Sequence, residues 1–405
     1  MTIDFELDET VATIRDFVHA FASETLRPLA READEKGELP TEVIKQLGQL
    51  AGNRATIMAE ERVEKSEDQK TIGSMVGVVG SEELAWGDPA VLLNIPGPGL
   101  AAPSIMASGT PEQKKRFLAD IFNVESEEPR FGALAVTEPQ AGSDVSNVQT
   151  TAVRDGDEWV LNGTKIYCTN GARADIVVVN ATIDKSLGRA GQKFFVIEKG
   201  APGFMIGKIE KKMGIRASET AEFALDDCRI PFDNILGGEE ALGDGRGGKV
   251  GSGFKGTMKT FDSSRPSVAA MALGIGRAAY EYSRDWAGSE LPMSSNFTRR
   301  NAIEAKLGSM KRELTAARGL IWRAAWMADN KVPNSKEASM SKAFAPQAAL
   351  RACVGAIQVM GPEGYSKEHL VEKWFRDIKV YDIFEGTGQI QRVIISRAIL
   401  GRLDG

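Results

Sequence analysis

The chain has 405 residues, of which 42% are hydrophobic and 26% charged, and its formal net charge is −6. This length is sufficient for two or three domains, and the acidic balance gives no support for nucleic-acid binding. No apolar run approaches the ~20 residues of a membrane span, and three scattered cysteines favour a reducing compartment. We therefore expect a cytoplasmic protein without membrane insertion, disulfides or a metal site.

The first third of the chain is predicted to be helical. Apolar residues recur every three or four positions at Val11, Ile14, Val18 and Phe21, as on one face of an amphipathic helix. Further helical stretches follow to about residue 120, and Thr110-Pro111 has the pattern of a helix N-cap with proline at the first helical position. We assign residues 1–130 to an N-terminal helical domain.

The middle of the chain changes to short β-rich runs separated by turns. Trp159-Val160-Leu161 and residues 176–179 are such runs, and Asn162-Gly163 predicts a hairpin because both residues tolerate positive φ. We assign residues 131–236 to a β-domain. Helical spacing then returns, most clearly in one long helix, and residues 237–405 are predicted to form a helical bundle. The apolar positions of that long helix are Ile303, Leu307, Met310, Leu314, Ala317 and Ile321.

Two glycine-rich stretches have the spacing of nucleotide-binding motifs. Residues 243–249 resemble a P-loop, but Val250 stands where a magnesium-binding Ser or Thr is required, so we interpret this stretch as a loop. Gly274-x-Gly276 resembles a dinucleotide fingerprint, which must lie between a strand and a helix. Here it lies within a predicted helix, so we expect it to serve close helix packing and we exclude a Rossmann enzyme.

The segment from Ile383 to Arg392 carries one carboxylate, Glu385, between an apolar pair and a flexible Gly-Thr-Gly. A carboxylate shielded from water has a raised pKa and can act as a base on carbon. Thr387 is predicted to cap the following helix, whose first N–H groups could meet a phosphate. The alternative is an ordinary acidic residue near a helix start. A second small-residue block, residues 133–144, offers hydroxyls and backbone amides suited to the edge of a flat heterocycle.

These segments, in this order and spacing, resemble the acyl-CoA dehydrogenases over nearly the whole chain. The matching motifs are Gly109–Gln113, Val136–Asp144, Leu161–Gly171, Lys212–Ser218, Gly253–Lys255, Phe261–Pro266, Gln358–Gly361 and the Glu385 segment. The resemblance implies a mainly α fold with a central β-barrel domain, an N-terminal helical domain and a C-terminal four-helix bundle. It agrees with the order of elements that periodicity predicts.

The resemblance also implies a reaction, the α,β-dehydrogenation of an acyl-CoA thioester with FAD as cofactor. Glu385 matches the family's catalytic base, which removes the α-proton while the β-hydrogen leaves as hydride to flavin N5. By the same resemblance, the backbone N–H of Glu385 and a ribityl hydroxyl meet the thioester oxygen, and Arg265 organises the active site. From its sequence position alone, Arg265 could equally be a helix-start arginine paired with Asp262. An electron-transferring flavoprotein is the electron acceptor that the family implies.

Other roles carry over residue by residue from the family. Contacts to the cofactor are implied for Val136, Thr137, Ser143, Tyr167, Thr169, Thr387 and Gln389, and Gln358 and Gly361 are expected to reach the cofactor of a neighbouring subunit. Contacts to the substrate are implied for Ser143, Phe254, Met258, Phe384 and Gly386. Phe254 and Met258 could instead be ordinary core residues.

Four departures from the family pattern leave the assembly open. Tyr167 replaces a common Trp, Phe384 replaces a common Tyr, and Pro362 interrupts a Gly-Gly pair. Residues 290–294 also lack the Arg-x-x-Phe-Gly motif whose arginine meets the FAD pyrophosphate of a neighbouring subunit. One hypothesis is an active enzyme in a homotetramer. The alternative is a partly structural subunit of a heterotetramer with a sister chain, and a flavin oxidase or nitroalkane-oxidising relative is less favoured.

Overall fold

The computed structural model describes residues 6–49, 72–122, 128–242, 252–290 and 297–401, with the side chains of residues 252–263, 297 and 299 outside the description. Helices come first, a curled β-sheet follows, and helices return. The predicted order of a mainly α chain with a central β-domain is confirmed. Within the described residues, no helix combines the length and the apolar character needed to cross a bilayer.

The N-terminal helices pack their apolar faces inward. Val11 and Val18 are buried on the first helix, and Gly37, at φ 75°, ends the second in the left-handed conformation that glycine adopts without steric penalty. Residues 41–49 and Pro89–Leu92 are also helical. The labelled helices here are α1 (Glu9–Phe21), α2 (Arg27–Lys36, joined to α1 by a π-helical segment at Ala22–Leu26), α3 (Gly73–Gly87) and α4 (Ala101–Ser108).

The predicted cap at Thr110 is confirmed. The Thr110 hydroxyl accepts from the backbone N–H of Gln113 at 3.2 Å, and the Gln113 side chain accepts from the N–H of Thr110 at 3.0 Å. This reciprocal capping box starts the short helix Pro111–Lys114, which continues as a π-helical segment over Lys115–Asp120.

The seven described strands form one sheet that curls around its own core. The strands are β1 (Gly132–Ala135), β2 (Thr151–Asp155), β3 (Glu158–Thr169), β4 (Ile176–Thr182), β5 (Gln192–Glu198), β6 (Phe204–Ile209) and β7 (Thr220–Pro231). Neighbouring strands follow the order β1-β4-β2-β3-β7-β6, and β5 pairs with β4. The fourth strand is buried along its whole length because Val177 and Val179 face the core inside the curl, whereas Ile176 and Val178 face a second cluster with Ile105 of α4.

The hairpin predicted at Asn162-Gly163 is wrong. Strand β3 runs straight through both residues, and the β2–β3 hairpin instead turns after Asp155, which pairs with Glu158. Gly163, at φ 153°, lies at a register shift between β3 and β7, and a Cβ there would come within 2.5 Å of the Thr150 hydroxyl. The Asn-Gly pair therefore supplies the backbone freedom of a β-bulge rather than of a turn.

The C-terminal helices pack closely through small residues. A Cβ on Gly276 would lie 2.8 Å from the Cα of Ala349, so glycine sets the approach of the two helices that carry them, and the predicted packing role is confirmed. The buried residues Met310, Leu314 and Ile321 confirm the predicted long helix. The helices are α5 (Ser252–Glu290), α6 (Phe297–Asp329), α7 (Ser335–Met360), α8 (Val371–Ile378) and α9 (Gly388–Leu400), with a short helix at Pro362–Tyr365.

A buried cluster of charged residues joins all three regions of the chain. The ammonium group of Lys373 on α8 donates to Asp88, which follows α3, and to Asp377 at 2.6 Å. Asp377 in turn accepts from the backbone N–H of Ile215, beyond β6, at 2.5 Å. None of the three charged side chains is exposed to solvent. Paired charges of opposite sign make this burial tolerable, and they fix the helices against the sheet.

Candidate active site

Glu385 lies on a strained loop between a 3₁₀ turn, Lys379–Asp382, and helix α9. Its φ is +55° and that of Gly386 is +88°, so two consecutive residues are left-handed. A non-glycine residue in this conformation costs about 1–2 kcal/mol, so the surrounding structure must hold it. The loop therefore directs Glu385 in a way that an ordinary helix start would not.

Side chains from two helices hold the loop by its backbone. Lys342 of α7 donates to the carbonyl of Tyr381 at 2.6 Å and to that of Gly386 at 3.2 Å. Gln391 of α9 donates to the carbonyls of Gly386 at 3.1 Å and Glu385 at 3.4 Å. Lys342 and Gln391 are both fully buried. These bonds over-determine the conformation of the loop and so offset its strain.

The environment of Glu385 adjusts its acidity in two directions. Burial raises the pKa of Glu385, while a hydrogen bond from the Ser264 hydroxyl to Oε2 (2.9 Å) and the charges of Lys342 and Arg265 limit the rise. Arg265 is itself buried on α5. Burial also lowers the pKa of Lys342 to about 8, although Glu385 and Asp382 oppose this. The structure thus places the two predicted catalytic residues, Glu385 and Arg265, in one electrostatic environment.

The segment after β1 lies beside the end of β3. The carbonyl of Thr137 accepts from the N–H of Ile166 at 2.9 Å, and that of Val136 accepts from the Lys165 ammonium at 3.1 Å. Tyr167 follows at φ 58° in a second register shift of β3, and its side chain is 62% exposed. Four predicted cofactor contacts are therefore adjacent, namely Val136, Thr137, Tyr167 and Thr169.

A buried ion pair fixes this segment in place. Lys165 and Glu138 are 2.7 Å apart, and both side chains are almost fully buried. Burial acts to raise the pKa of Glu138, but Lys165 and the Thr150 hydroxyl hold it below its ordinary value. Burial lowers the pKa of Lys165 to about 8 against the attraction of Glu138. The backbone N–H groups of Gln149 and Thr150 also donate to Glu138, at 2.6 and 3.0 Å.

These residues fit the ring system of FAD. An exposed aromatic side chain such as Tyr167 offers a flat apolar face, and its burial under a second ring system would be favourable. Thr137 and Thr169 carry hydroxyls, and together with backbone groups of these segments they are of the kind that suits the polar edge of a flavin. Ser143 is exposed in the turn that follows Glu138, where it is accessible to a ligand.

The segment around Glu385 presents further predicted contacts. Thr387 caps α9, because its hydroxyl accepts from the N–H of Ile390 at 3.3 Å, and this prediction is confirmed. Gln389 is exposed in the first turn of α9. Phe384 is half-buried with its ring edge-on to Tyr381, at 4.9 Å between centroids. The N-terminal end of α9 thus combines helix N–H groups with an exposed amide, which suits a phosphate-bearing cofactor.

Two predicted residues lie far from this loop. Gln358 accepts a hydrogen bond from Lys306, and Gly361, at φ 66°, ends α7. At 1.5 Å per residue, they are roughly 24 Å or more along α7 from Lys342. Phe254 and Met258 belong to α5, but their side chains lie outside the described residues. Of residues 290–294, positions 291–294 also lie outside the description.

Several residues that shape the site were not predicted from the sequence. Lys342, Gln391 and Lys165 are fully buried, and each bonds backbone groups that carry predicted site residues. A weak signal exists for Lys342, which stands between the buried small residues Ala338 and Ala345 on one helix face. A lysine at such a core position requires a buried partner.

Comparison with known proteins extends this local agreement to the whole chain. The models for the acyl-CoA dehydrogenase N-terminal, middle and C-terminal domains match residues 8–125, 133–228 and 251–400. The mitochondrial short-chain specific acyl-CoA dehydrogenase of Bos taurus is 36% identical over 98% of this chain and 91% of its own length.

Solved structures are similar in fold as well. The butyryl-CoA dehydrogenase of Megasphaera elsdenii superimposes with a TM-score of 0.86 at 35% identity, covering 98% of this chain and 100% of that one. A chain of the structure described as the electron transferring flavoprotein of Acidaminococcus fermentans superimposes with a TM-score of 0.85 at 34% identity, covering 99% and 100%. With three domain models matched in order and relatives aligned over nearly its full length, the chain belongs to the acyl-CoA dehydrogenase family and is an oxidoreductase with FAD as its cofactor.

Proposed function

We propose that this chain oxidises an acyl-CoA thioester to the trans-2-enoyl-CoA, with Glu385 as the base that removes the α-proton. The observation that carries the proposal is the half-buried carboxylate of Glu385, held on a left-handed loop beside Ser264 and Arg265. A structural carboxylate needs no strained loop for its hydrogen bonds. A base does need its carboxylate fixed in direction toward a carbon atom.

The raised pKa of Glu385 suits this chemistry. An α-C–H beside a thioester is a weak acid, so a more basic carboxylate removes its proton more readily. The proton passes to a carboxylate oxygen of Glu385, and the backbone N–H of the same residue donates to the thioester oxygen as negative charge develops there. Bound FAD supplies the acceptor for the β-hydrogen and its electron pair, because no protein side chain accepts a hydride.

The remaining predicted residues are proposed to bind and orient. Val136, Thr137, Tyr167 and Thr169 would hold the flavin ring, and Ser143 would lie between ring and thioester. At the other side, Thr387 and Gln389 would contact the cofactor. The acyl group would contact Phe254, Met258, Phe384 and Gly386, while Gln358 and Gly361 would serve the cofactor of a neighbouring subunit. These proposals rest on the adjacency described above and on the family match.

The substrate is proposed to be a short acyl chain. Both the bovine relative and the Megasphaera structure are named for short acyl-CoA substrates, and each aligns over at least nine-tenths of its length. An electron-transferring flavoprotein is the proposed electron acceptor, supported by the similarity to a chain of such a structure. A tetramer in the cytoplasm is the proposed setting.

A second hypothesis is that the chain is a partly structural subunit of a heterotetramer. Its support is the absence of Arg-x-x-Phe-Gly at residues 290–294. The described arginines near that stretch bond to acids close by on their own helices, Arg284 to Asp285 at 2.7 Å and Arg300 to Glu304 at 2.9 Å. These bonds give neither arginine a role in binding the FAD pyrophosphate of a neighbouring subunit.

One experiment separates the two hypotheses. The chain is purified alone, its flavin content is read from the visible spectrum, and butyryl-CoA or octanoyl-CoA is added without oxygen. One FAD per chain that bleaches with an acyl-CoA supports the enzyme, whereas colourless protein supports the heteromeric subunit. Glu385→Gln should retain flavin and slow bleaching about 10²–10⁴-fold. The control is Glu368→Gln at an exposed position, which should bleach like the wild type. Equal bleaching by both variants would refute the role of Glu385.

A further inference from the structure

Two carbonyls of the loop that carries Glu385 are hydrogen-bonded to the ammonium group of one lysine. The carbonyls of Tyr381 and Gly386 stand at either side of Glu385 in the chain, and both accept from Lys342, at 2.6 and 3.2 Å. Lys342 is fully buried on α7. We propose that Lys342 is a positioning residue for Glu385, fixing the direction of the carboxylate by clamping the loop at both ends. This inference rests on the proposed role of Glu385 as the base.

A lysine is suited to this clamp because its ammonium group carries three donors that can point to different acceptors. The two carbonyls belong to a loop with two consecutive left-handed residues, whose conformation is not self-sustaining. Gln391 adds a second contact from α9, to the carbonyls of Glu385 and Gly386. The glutamine amide is neutral, however, whereas Lys342 combines the clamp with a charge.

That charge acts on Glu385 as well. The groups facing the Glu385 carboxylate are the Ser264 hydroxyl and the Arg265 guanidinium from α5, and Lys342 from α7. Lys342 in turn is attracted by Glu385 and Asp382. Among the side chains that the structure describes, removal of the ammonium group takes away one of two cations that favour the ionised carboxylate. The pKa of Glu385 should then rise further. On acidification, the variant should therefore lose proton abstraction at a higher pH than the wild type.

Three variants separate the clamp from the charge. Lys342→Met removes both, Lys342→Gln keeps an amide donor without charge, and Gln391→Leu removes only the second clamp. The matched control is Lys336→Met, an exposed lysine on the same helix that pairs with Glu337. Each variant is measured as the holoenzyme by anaerobic flavin reduction with butyryl-CoA across pH. FAD content and the circular dichroism melt are recorded in parallel.

Lys342→Met is expected to retain FAD and to reduce it about 10–100-fold more slowly, because a misdirected base loses most of its advantage. Its rate profile should shift to higher pH. Lys342→Gln should recover part of the rate but keep the shifted profile, and Gln391→Leu should slow the rate without shifting it. Should Lys342→Met fail to fold, the latter two variants decide. The proposal would be overturned if Lys342→Gln and Gln391→Leu both showed the rates and pH profiles of the wild type. It would also be overturned if Lys342→Met were slower but had an unshifted pH profile.

A direct titration keeps this inference separate from the proposed function. The carboxyl stretch of Glu385 can be followed by infrared difference spectroscopy and assigned with Glu385→Gln. If no acyl-CoA bleached the flavin of the wild type, the proposed dehydrogenase activity would be refuted. The Glu385 carboxyl of Lys342→Met would nevertheless titrate at a higher pH than that of the wild type. An unchanged titration would overturn the effect of Lys342 whatever the activity.

Discussion

Replacement of Lys373 by methionine should destabilise the whole protein rather than one domain. Lys373 is the only cation recorded within bonding distance of Asp377 in the described structure, and it also bonds Asp88. Methionine has a similar length but no charge, so two carboxylates would be left buried without it. Because Asp88 follows α3 and Asp377 contacts Ile215 beside the sheet, all three regions would be affected.

The expected effect follows from the burial of the cluster. Removing one partner of a buried ion pair costs about 3–5 kcal/mol. Unfolding entropies near 2.1 cal/mol/K per residue imply roughly 0.85 kcal/mol/K for a chain of this length. The midpoint of thermal unfolding should therefore fall by about 4–6 °C, if the chain unfolds as one unit. Loss of one partner of a surface ion pair would produce no such change in melting temperature.

The measurement is a thermal melt followed by circular dichroism, at matched FAD loading. Lys36→Met serves as control, because the Lys36–Glu32 pair is exposed, and its melt should match the wild type. Adding Asp377→Asn to Lys373→Met should recover part of the loss, since one buried carboxylate is then neutral. A melting temperature of Lys373→Met within about 1 °C of that of the wild type would refute the reasoning.

The dependence of stability on alkaline pH is a second test of the same cluster. Burial alone would lower the pKa of Lys373, but Asp377 and Asp88 raise it above its ordinary 10.5. The stability that Lys373 contributes is therefore fully present below 10.5 and is lost as the pH rises beyond it. The wild type should lose its advantage over Lys373→Met at strongly alkaline pH, and a constant difference in melting temperature there would contradict this.

Two glycine substitutions test packing and loop geometry. Gly274→Ala would drive a methyl group into the backbone carbonyl of Glu82, so α3 and α5 must separate, at a cost of about 1–3 kcal/mol in a urea titration. Gly288→Ala on the same helix meets no atom within 4 Å and should be neutral or stabilising, and equal losses in both would disprove the packing argument. Gly386→Ala would strain a residue at φ 88° and collide with the Gln391 amide, slowing flavin reduction about tenfold while FAD stays bound. Unchanged reduction kinetics would show that the loop tolerates other conformations.

Local patterns predicted much of the fold. The stripe at Met310, Leu314 and Ile321 faces the core because one helix face contacts its neighbours and the other meets solvent. The caps at Thr110 and Thr387 were predictable because each depends on a residue three positions away. The Glu385 segment is local in the same way, although its sequence alone left open whether Glu385 is a base or an ordinary acidic residue near a helix start.

Contacts between distant parts of the chain explain what the sequence did not predict. Asn162-Gly163 has turn chemistry, but pairing with β7 makes it a bulge, and that pairing is not visible in the strand itself. Lys342 bonds carbonyls of residues far along the chain, and any residue type can supply a carbonyl. The Glu138–Lys165 pair likewise depends on the packing of β1 against β3.

The separation of Asp88 and Lys373 along the chain, 285 residues, has a consequence during synthesis. At roughly 5–20 residues per second, Asp88 is synthesised about 15–60 s before its partner. In that interval Asp88 lacks its ammonium partner, and Glu385 is synthesised later still. The buried cluster can therefore form only after nearly the whole chain has been synthesised, so the three regions become fixed to one another late.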